Sequence, residues 1–261
     1  MADGAPEDRQ PGEHVWFRGD FQSWAAARQA STGYDAPAIV EKVRAATLKV
    51  VSGEAACERD SIAFERIEYS LPLLVCLLYA ASRSENQLNI IDFGGSLGSS
   101  YWQNRHFLAH LRHLRWSVVE QPHFVAVGQS EIANEALRFY PSIAASLAEG
   151  PANAILLSSV LQYLEEPFTV LASILAIGVQ FVMLDRTSFF VDDLPDRITV
   201  EDVHPSVYEG SYPAWFFNLA KFRLFVQASG YRIVEEFDSW EDWTIDCHPA
   251  QNKCFLLEHA G

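Results

Sequence analysis

Two rhythms of apolar and polar residues divide the chain. From Val15 to about Arg83 apolar positions recur at helical spacing: Ile39, Val43, Ala46 and Val50 stand about one turn apart, with Asp35 and Pro37 before them as start signals. A second helix is predicted over Ser61–Ser82, bent or begun again near Pro72. This part carries no strand pattern of its own, so it is expected to cap a neighbouring sheet. From Leu88 short apolar runs alternate with helix-length segments, the mark of a parallel sheet. The predicted order is strand Leu88–Phe93, helix Tyr101–His113, strand Trp116–Glu120, helix Phe124–Ala136 and a weak strand near Phe139 or Ile143. Strand Ala154–Ser158, helix Pro167–Ile177 and strand Phe181–Leu184 come next, then a long irregular segment. Helix Ala214–Ser229 ends at Gly230, a suitable residue just past a helix C-terminus. Strands Arg232–Phe237 and Cys254–Glu258 close the chain as a hairpin with a long connection. The expected fold class is α/β, a seven-stranded sheet with an antiparallel C-terminal hairpin. Residues 1–14 are expected to be a disordered tail and 15–86 a helical cap. The nucleotide-binding domain is expected over 87–261, with 187–215 inserted on its substrate side.

The chemistry concentrates at Leu88–Gly98, LNIIDFGGSLG, read with Glu120. A strand runs into a glycine-dense turn, and a carboxylate ends the next strand. In an α/β sheet that places both at the carboxyl ends of neighbouring strands, where nucleotides bind. Glycines let the backbone pass close under a ligand, and a carboxylate accepts the hydroxyl protons of a ribose. A dinucleotide fingerprint fails, because Ser96 and Ser99 stand where its second and third glycines belong. A phosphate loop fails too, since no lysine lies between Glu85 and Glu120. The spacing D-x-G-x-(G/S)-x-G, with Asp92 two residues before Gly94, is similar to the first motif of class I S-adenosylmethionine (SAM) methyltransferases. The same residues also fit an ordinary tight strand–helix turn.

Composition narrows the partners. The 261 residues include 7 Trp, 9 Tyr and 17 Phe, enough for a large core, and the formal charge is −15. That charge argues against nucleic acid or an anionic membrane, since phosphate contacts need a basic surface. It suits an enzyme acting on a small molecule, and a cationic cofactor would not be repelled. Cys57, Cys76, Cys247 and Cys254 form no C-x-x-C pair and read as reduced thiols. Cys247, His248, Cys254 and His259 make a weak metal-like cluster at the wrong spacing, so no metal is expected. Met1–Glu13 is polar rather than signal-like, and Leu71–Ala81 is too short to span a bilayer, so a cytoplasmic protein is expected.

The motifs DFGGSLGSSY (Asp92–Tyr101), WSVVEQPHFVAVG (Trp116–Gly128), LSSVLQYLEEP (Leu157–Pro167), LDRTSF (Leu184–Phe189) and HPSVYEGSYPAWFF (His204–Phe217) follow in order. With GYDAP (Gly33–Pro37) and the stretch Glu58-Arg59-Asp60-Ser61, they resemble a little-characterised bacterial family of class I SAM methyltransferases. Members are often encoded with polysaccharide or secondary-metabolite biosynthesis enzymes. The resemblance spans about Trp16 to Leu257. It implies that Asp92, Gly94, Gly95, Ser96 and Gly98 line the methionine half of SAM. Glu120 would bind the ribose and Gln121 approach the adenine, with Ser158 and Ser159 where cofactor and substrate meet. Ser96 replaces a frequent glycine, and Asn153 stands where many relatives of the superfamily have Asp.

Methyl transfer is an in-line displacement in which the protein positions the nucleophile and removes its proton. Candidates for the chemistry are His204, Tyr212 and Asp185, and candidates for substrate binding are Arg186, Tyr208 and Gln162. Each also fits a structural role, Arg186 by pairing with Asp185 and the tyrosines by packing. Asp60 and Phe64 are further candidates to touch a ligand. The reading is a SAM-dependent methyltransferase acting on a hydroxyl of a sugar or other small metabolite, with oligomeric state open. Alternatives are a NAD- or nucleotide-sugar-binding oxidoreductase and a non-catalytic SAM-binding protein.

Overall fold

A computed structural model describes residues 16–33, 36–59, 61–204 and 210–261. The expected tail and the helix-start Asp35 lie outside the described residues. In chain order the elements are β1 (Phe17–Phe21), α1 (Trp24–Gln29), α2 (Ala36–Ser52), β2 (Cys57–Arg59), β3 (Ile62–Phe64) and α3 (Leu71–Ser82). The main unit opens with β4 (Gln87–Phe93), α4 (Ser99–Leu108), β5 (His113–Val119), α5 (Pro122–Val127), β6 (Leu137–Tyr140) and α6 (Ile143–Ala148). It continues with β7 (Ala154–Ser158), α7 (Pro167–Leu175), β8 (Phe181–Phe190), β9 (Arg197–Asp202), β10 (Ser211–Phe216), α8 (Leu219–Ala228), β11 (Tyr231–Ile245) and β12 (His248–His259).

The central sheet has the order β6-β5-β4-β7-β8-β12-β11. Its first five strands are parallel, and β12 slots antiparallel between β8 and β11. This is the seven-stranded arrangement with an antiparallel C-terminal pair that the resemblance implied. The order reverses at β4 and β7, so the crevice at their carboxyl ends is the natural ligand site.

Strand alternation divides the core in two. Leu88 and Ile90 of β4 join Trp116, Leu73, Leu77, Trp102 and Phe124 on one face, under α3, α4 and α5. Ile91 joins Ile155, Leu157, Val182, Leu171 and Phe222 on the other, under α7 and α8. The two-residue period therefore turns Asp92 toward the first core, and it is fully buried there.

Several expectations change. The segment read as helical from Val15 contains β1 and the β2–β3 hairpin. β1 pairs antiparallel with β9, and β9 with β10, in a second, three-stranded sheet. Phe17 lies opposite Glu201, a partner too distant in sequence for local periodicity to reveal. The irregular segment before α8 holds β9 and β10, and α8 starts at Leu219 because Asn218 caps it, accepting from the Lys221 N–H at 2.7 Å. α4 stops at Leu108, and the helix expected to reach Ala136 ends in a π-turn at Gly128–Ile132. β8 runs on to Phe190 because Thr187–Phe190 pairs with Ala250–Lys253 of β12. The hairpin expected to have a long connection turns tightly at Asp246–Cys247, both left-handed at φ +48° and +66°. That is hairpin-turn geometry without the usual Asn-Gly signal. No helix among the described residues is long and apolar enough to cross a membrane.

The second sheet is anchored by aromatics. Phe216 is fully buried, and Phe17 meets it edge-on at 4.8 Å between ring centroids. Phe216→Ala is expected to cost about 3–5 kcal/mol in chemical unfolding and to speed amide exchange across Phe17–Phe21. Unchanged exchange there would show that β1 is held by something else.

Candidate functional site

The turn from β4 to α4 is set by close packing on both sides. A Cβ on Gly95 would run into the Asp92 carboxyl, and one on Gly94 would lie 2.6 Å from Val160 Cγ2. Only glycine lets the chain lie this close to the strand end. Gly98 then caps α4, and its carbonyl accepts from the Trp102 N–H at 2.9 Å. The Gly94 N–H donates to the Val119 carbonyl at 2.9 Å, tying the turn to the tip of β5.

Just past that tip, half-buried Glu120 accepts from the Gln121 N–H at 2.7 Å, with the Ser96 N–H close by. Burial pushes its carboxyl above the usual range, while those two donors and His123 pull it back. Gln121 itself is exposed at the start of α5. Asp92, beneath the turn, accepts from Trp116 Nε1 at 2.9 Å, and its Oδ1 has no hydrogen-bond partner among the described residues. Complete burial pushes the Asp92 carboxyl up to about 7, with Glu120 and Asp185 adding to the rise and Trp116 opposing it.

A second group forms where β7 ends beside the middle of β8. Ser158 and Asp185 are register partners, and Ser158 Oγ donates to Asp185 Oδ2 at 2.8 Å. Ser70, the N-cap of α3, donates to Asp185 Oδ1 at 3.2 Å. Asp185 is almost wholly buried, so its visible work is to hold two strand ends and a helix start together. Arg186 Nε lies 3.8 Å from Asp185 Oδ2. Gln162 donates to the Arg186 carbonyl at 2.9 Å and to Ser159 Oγ at 3.3 Å, and its buried Oε1 has no partner among the described residues. Ser96, Ser159 and Arg186 adopt left-handed backbone at φ +53°, +55° and +50°. Ser96 and Ser159 follow the ends of β4 and β7, Arg186 lies within β8 just past its last pair with β7, and each costs roughly 1–2 kcal/mol. Such strain gathers at functional sites.

The structure thus joins Asp92, Gly94, Gly95, Ser96, Gly98 and Glu120 in one turn, and Ser158, Ser159, Gln162, Asp185 and Arg186 beside it. Tyr212 belongs to the second sheet instead, on β10, and His204 lies two residues past the end of β9. Tyr212 packs edge-on against Tyr163 at 5.3 Å, and the Tyr163 hydroxyl donates to Glu201 Oε2 at 2.7 Å. His204 lies beside Trp16, ring centroids 6.1 Å apart. Tyr208 and Asp60 lie outside the described residues. The C-terminal thiols are separated, with Cys247 exposed at the hairpin turn and Cys254 buried 3.9 Å from Cys76 Sγ.

Sequence reading missed Glu58, Ser70, Tyr163 and Glu201. Glu58 is buried on β2 and accepts from Ser99 Oγ at 2.6 Å. All four act through partners 38 or more positions away, so spacing carries no trace of them. Asn153, the departure from the superfamily's acid, accepts from the Asn89 N–H at 2.8 Å and donates to the Gln87 carbonyl at 3.1 Å, bracing β4.

The raised Asp92 carboxyl makes stability depend on pH. Between about 4 and 7 the unfolded chain ionises this group while the folded chain keeps it protonated, so stability falls as pH rises through that window. Asp92→Asn, which mimics the protonated form, is expected to remove this fall and to raise the midpoint of urea unfolding at pH 8. Parallel wild-type and variant curves from pH 4 to 8 would overturn the assignment.

No protein-family model matches the chain, and no curated protein matches it in sequence. Its structure is similar to the N-terminal domain of EvdMO1 crystallised in the presence of S-adenosylhomocysteine (SAH) and D-fucose. The TM-score is 0.50 at 15% identity, covering 87% of this chain and 98% of that one. Magnesium protoporphyrin IX methyltransferase from Synechocystis PCC 6803, with bound SAM, gives a TM-score of 0.47 at 12% identity, covering 87% and 99%. Mitomycin 7-O-methyltransferase MmcR gives 0.42 at 14%, covering 71% and 54%. The first likeness shows the fold alone, a Rossmann-like α/β sheet with an antiparallel C-terminal pair.

Proposed function

We propose that this protein is a SAM-dependent methyltransferase that methylates a hydroxyl of a small metabolite. The observation that carries the reading is the glycine turn after β4, tied through the Gly94 N–H to the Val119 carbonyl at the tip of β5, next to the Glu120 carboxylate. Gln162 Oε1, a buried acceptor on the turn after β7, has no partner among the described residues. Acceptors suit a ligand rich in donors, as the ribose hydroxyls, adenine amino group and α-ammonium of SAM are. A turn without lysine or arginine suits a nucleoside that lacks a pyrophosphate.

When bound, SAM supplies an electrophilic methyl group, and the chain's residues position and deprotonate. Glu120 would take the ribose hydroxyls, and Ser158 and Gln162 would face the junction of nucleoside and acceptor. Asp185 keeps Ser158 and Ser70 in place. On the acceptor side Tyr212 stands with Tyr163 and Glu201, and a carboxylate bound to a phenol can take a proton handed on from an acceptor hydroxyl. His204 and Arg186 remain substrate-side candidates of the same reading. Because a protein of this fold was crystallised with SAH and D-fucose, these are the first compounds to titrate.

SAM is expected to bind in calorimetry and NAD⁺ to give no heat of binding. Glu120→Ala is expected to weaken SAM binding by about 1–3 kcal/mol through loss of a buried acceptor. Unchanged affinity in that variant, or binding of NAD⁺ in preference to SAM, would overturn the assignment.

A further inference from the structure

Glu58 has no role in the assignments above, yet its carboxylate is bonded to the residue that follows the glycine turn. It sits on β2 and is about nine-tenths buried. Its Oε2 accepts from Ser99 Oγ at 2.6 Å, and Ser99 is the first residue of α4, immediately after Gly98. Its Oε1 accepts from the N–H of Ser61 at 2.9 Å, in the left-handed bend that joins β2 to β3. The hairpin therefore holds this carboxylate in one orientation, beside the segment that carries the turn.

Asp92 lies on the inner side of the same turn, fully buried, with Oδ1 unpartnered among the described residues and its carboxyl pressed against Gly95. Glu120 lies beside the turn as well, near the Ser96 N–H. The turn itself, Gly94-Gly95-Ser96-Leu97-Gly98, carries no cationic side chain. Burying carboxylates around such a turn is costly unless a donor or cation offsets them. The N-terminus of α4 offsets part of the cost at Glu58. A ligand with a positive charge at this end would offset more, and SAM and SAH each carry an α-ammonium on the amino-acid moiety.

We propose that Glu58, delivered by the N-terminal hairpin, binds the α-ammonium group of the nucleoside's amino-acid moiety. The inference rests on the SAM reading above. It gives the N-terminal region a direct part in binding, because a hairpin outside the main sheet would complete the cofactor site.

The test is calorimetric titration of the full chain with SAH and with 5′-methylthioadenosine, which shares the nucleoside and thioether but has no α-ammonium. Glu58→Gln is expected to weaken SAH about tenfold and to change 5′-methylthioadenosine less than about twofold, as loss of one charge-assisted contact predicts. Ser99→Ala leaves the charge in place and is expected to keep SAH affinity within about threefold. Equal losses for both nucleosides in Glu58→Gln, or no loss for either, overturn the proposal. So does a Ser99→Ala loss as large as that of Glu58→Gln, which would make Glu58 a tether for α4. If the Gln variant does not fold by circular dichroism, Glu58→Asp withdraws the charge by one methylene and must show the same selective loss of SAH. Failure of the wild-type chain to bind either nucleoside overturns the SAM reading itself, a result distinct from all of these.

Discussion

A carboxyl group and a glycine in contact organise the ligand edge of this protein. Asp92 lies so close beneath Gly95 that no side chain fits between them, so the chain leaving β4 must fold back over its own strand end. That fold-back presents the Ser96 N–H to Glu120 and brings Gly98 to the cap of α4. Asp92 is fixed in turn by Trp116 of β5, whose indole N–H it accepts inside the first core. The turn is therefore shaped from below by the packing of two parallel strands rather than by its own flexibility. A ligand meeting it would find a preorganised backbone, which lowers the entropic cost of binding.

The neighbouring strands extend the same logic sideways. Asp92 of β4, Ser158 of β7 and Asp185 of β8 share one face of the sheet, because each continues the two-residue alternation of its strand's first-core residues. Two left-handed residues that are not glycine follow directly, Ser159 past the end of β7 and Arg186 within β8 just after Asp185. The resulting edge has two sides. Toward β5 lie the turn and Glu120, suited to a nucleoside. Toward β8 lie the 3₁₀ turn Leu161–Tyr163 and the second sheet, where Trp215 donates to the Leu164 carbonyl at 3.0 Å and Tyr163 reaches Glu201. The second sheet is thus bonded directly to the turn that follows β7, and its residues Tyr212 and Glu201 are placed by that docking.

How much of this could be read from the chain follows the range of the interactions. β4, its turn, Glu120 and the β7 strand end are legible because strand pattern, glycine spacing and the next acid lie within about thirty positions. The two-residue period also held a clue that assigning Asp92 to the cofactor did not use. Leu88, Ile90 and Asp92 share a face, so Asp92 points into the core beneath the turn. The second sheet was not legible. Phe17 and Glu201 meet across most of the chain, and FRGDF alone shows no strand alternation that would separate it from a loop. The tight turn at Asp246–Cys247 lacks the residues that announce such turns, so β11 and β12 looked shorter than they are. Glu58 fell within a segment read as helix, where an acid every few residues is ordinary.

The acidic surroundings of the turn place folding and binding in opposition. Burial raises the carboxyls of Asp92 and Glu120, and the charges of Glu120 and Asp185 make ionising Asp92 harder. A molecule of formal charge −15 adds unfavourable field over the whole surface. Replacing the acids with neutral residues would relieve the folded chain, as engineered stabilisation of functional sites commonly does. Keeping them makes sense where a ligand brings donors and positive charge to the same place. Such a ligand would be favoured in the folded state and not in the unfolded one, so it would stabilise the fold by mass action. The strain at Ser96, Ser159 and Arg186 has the same direction: each left-handed residue costs the fold free energy beside the same acids.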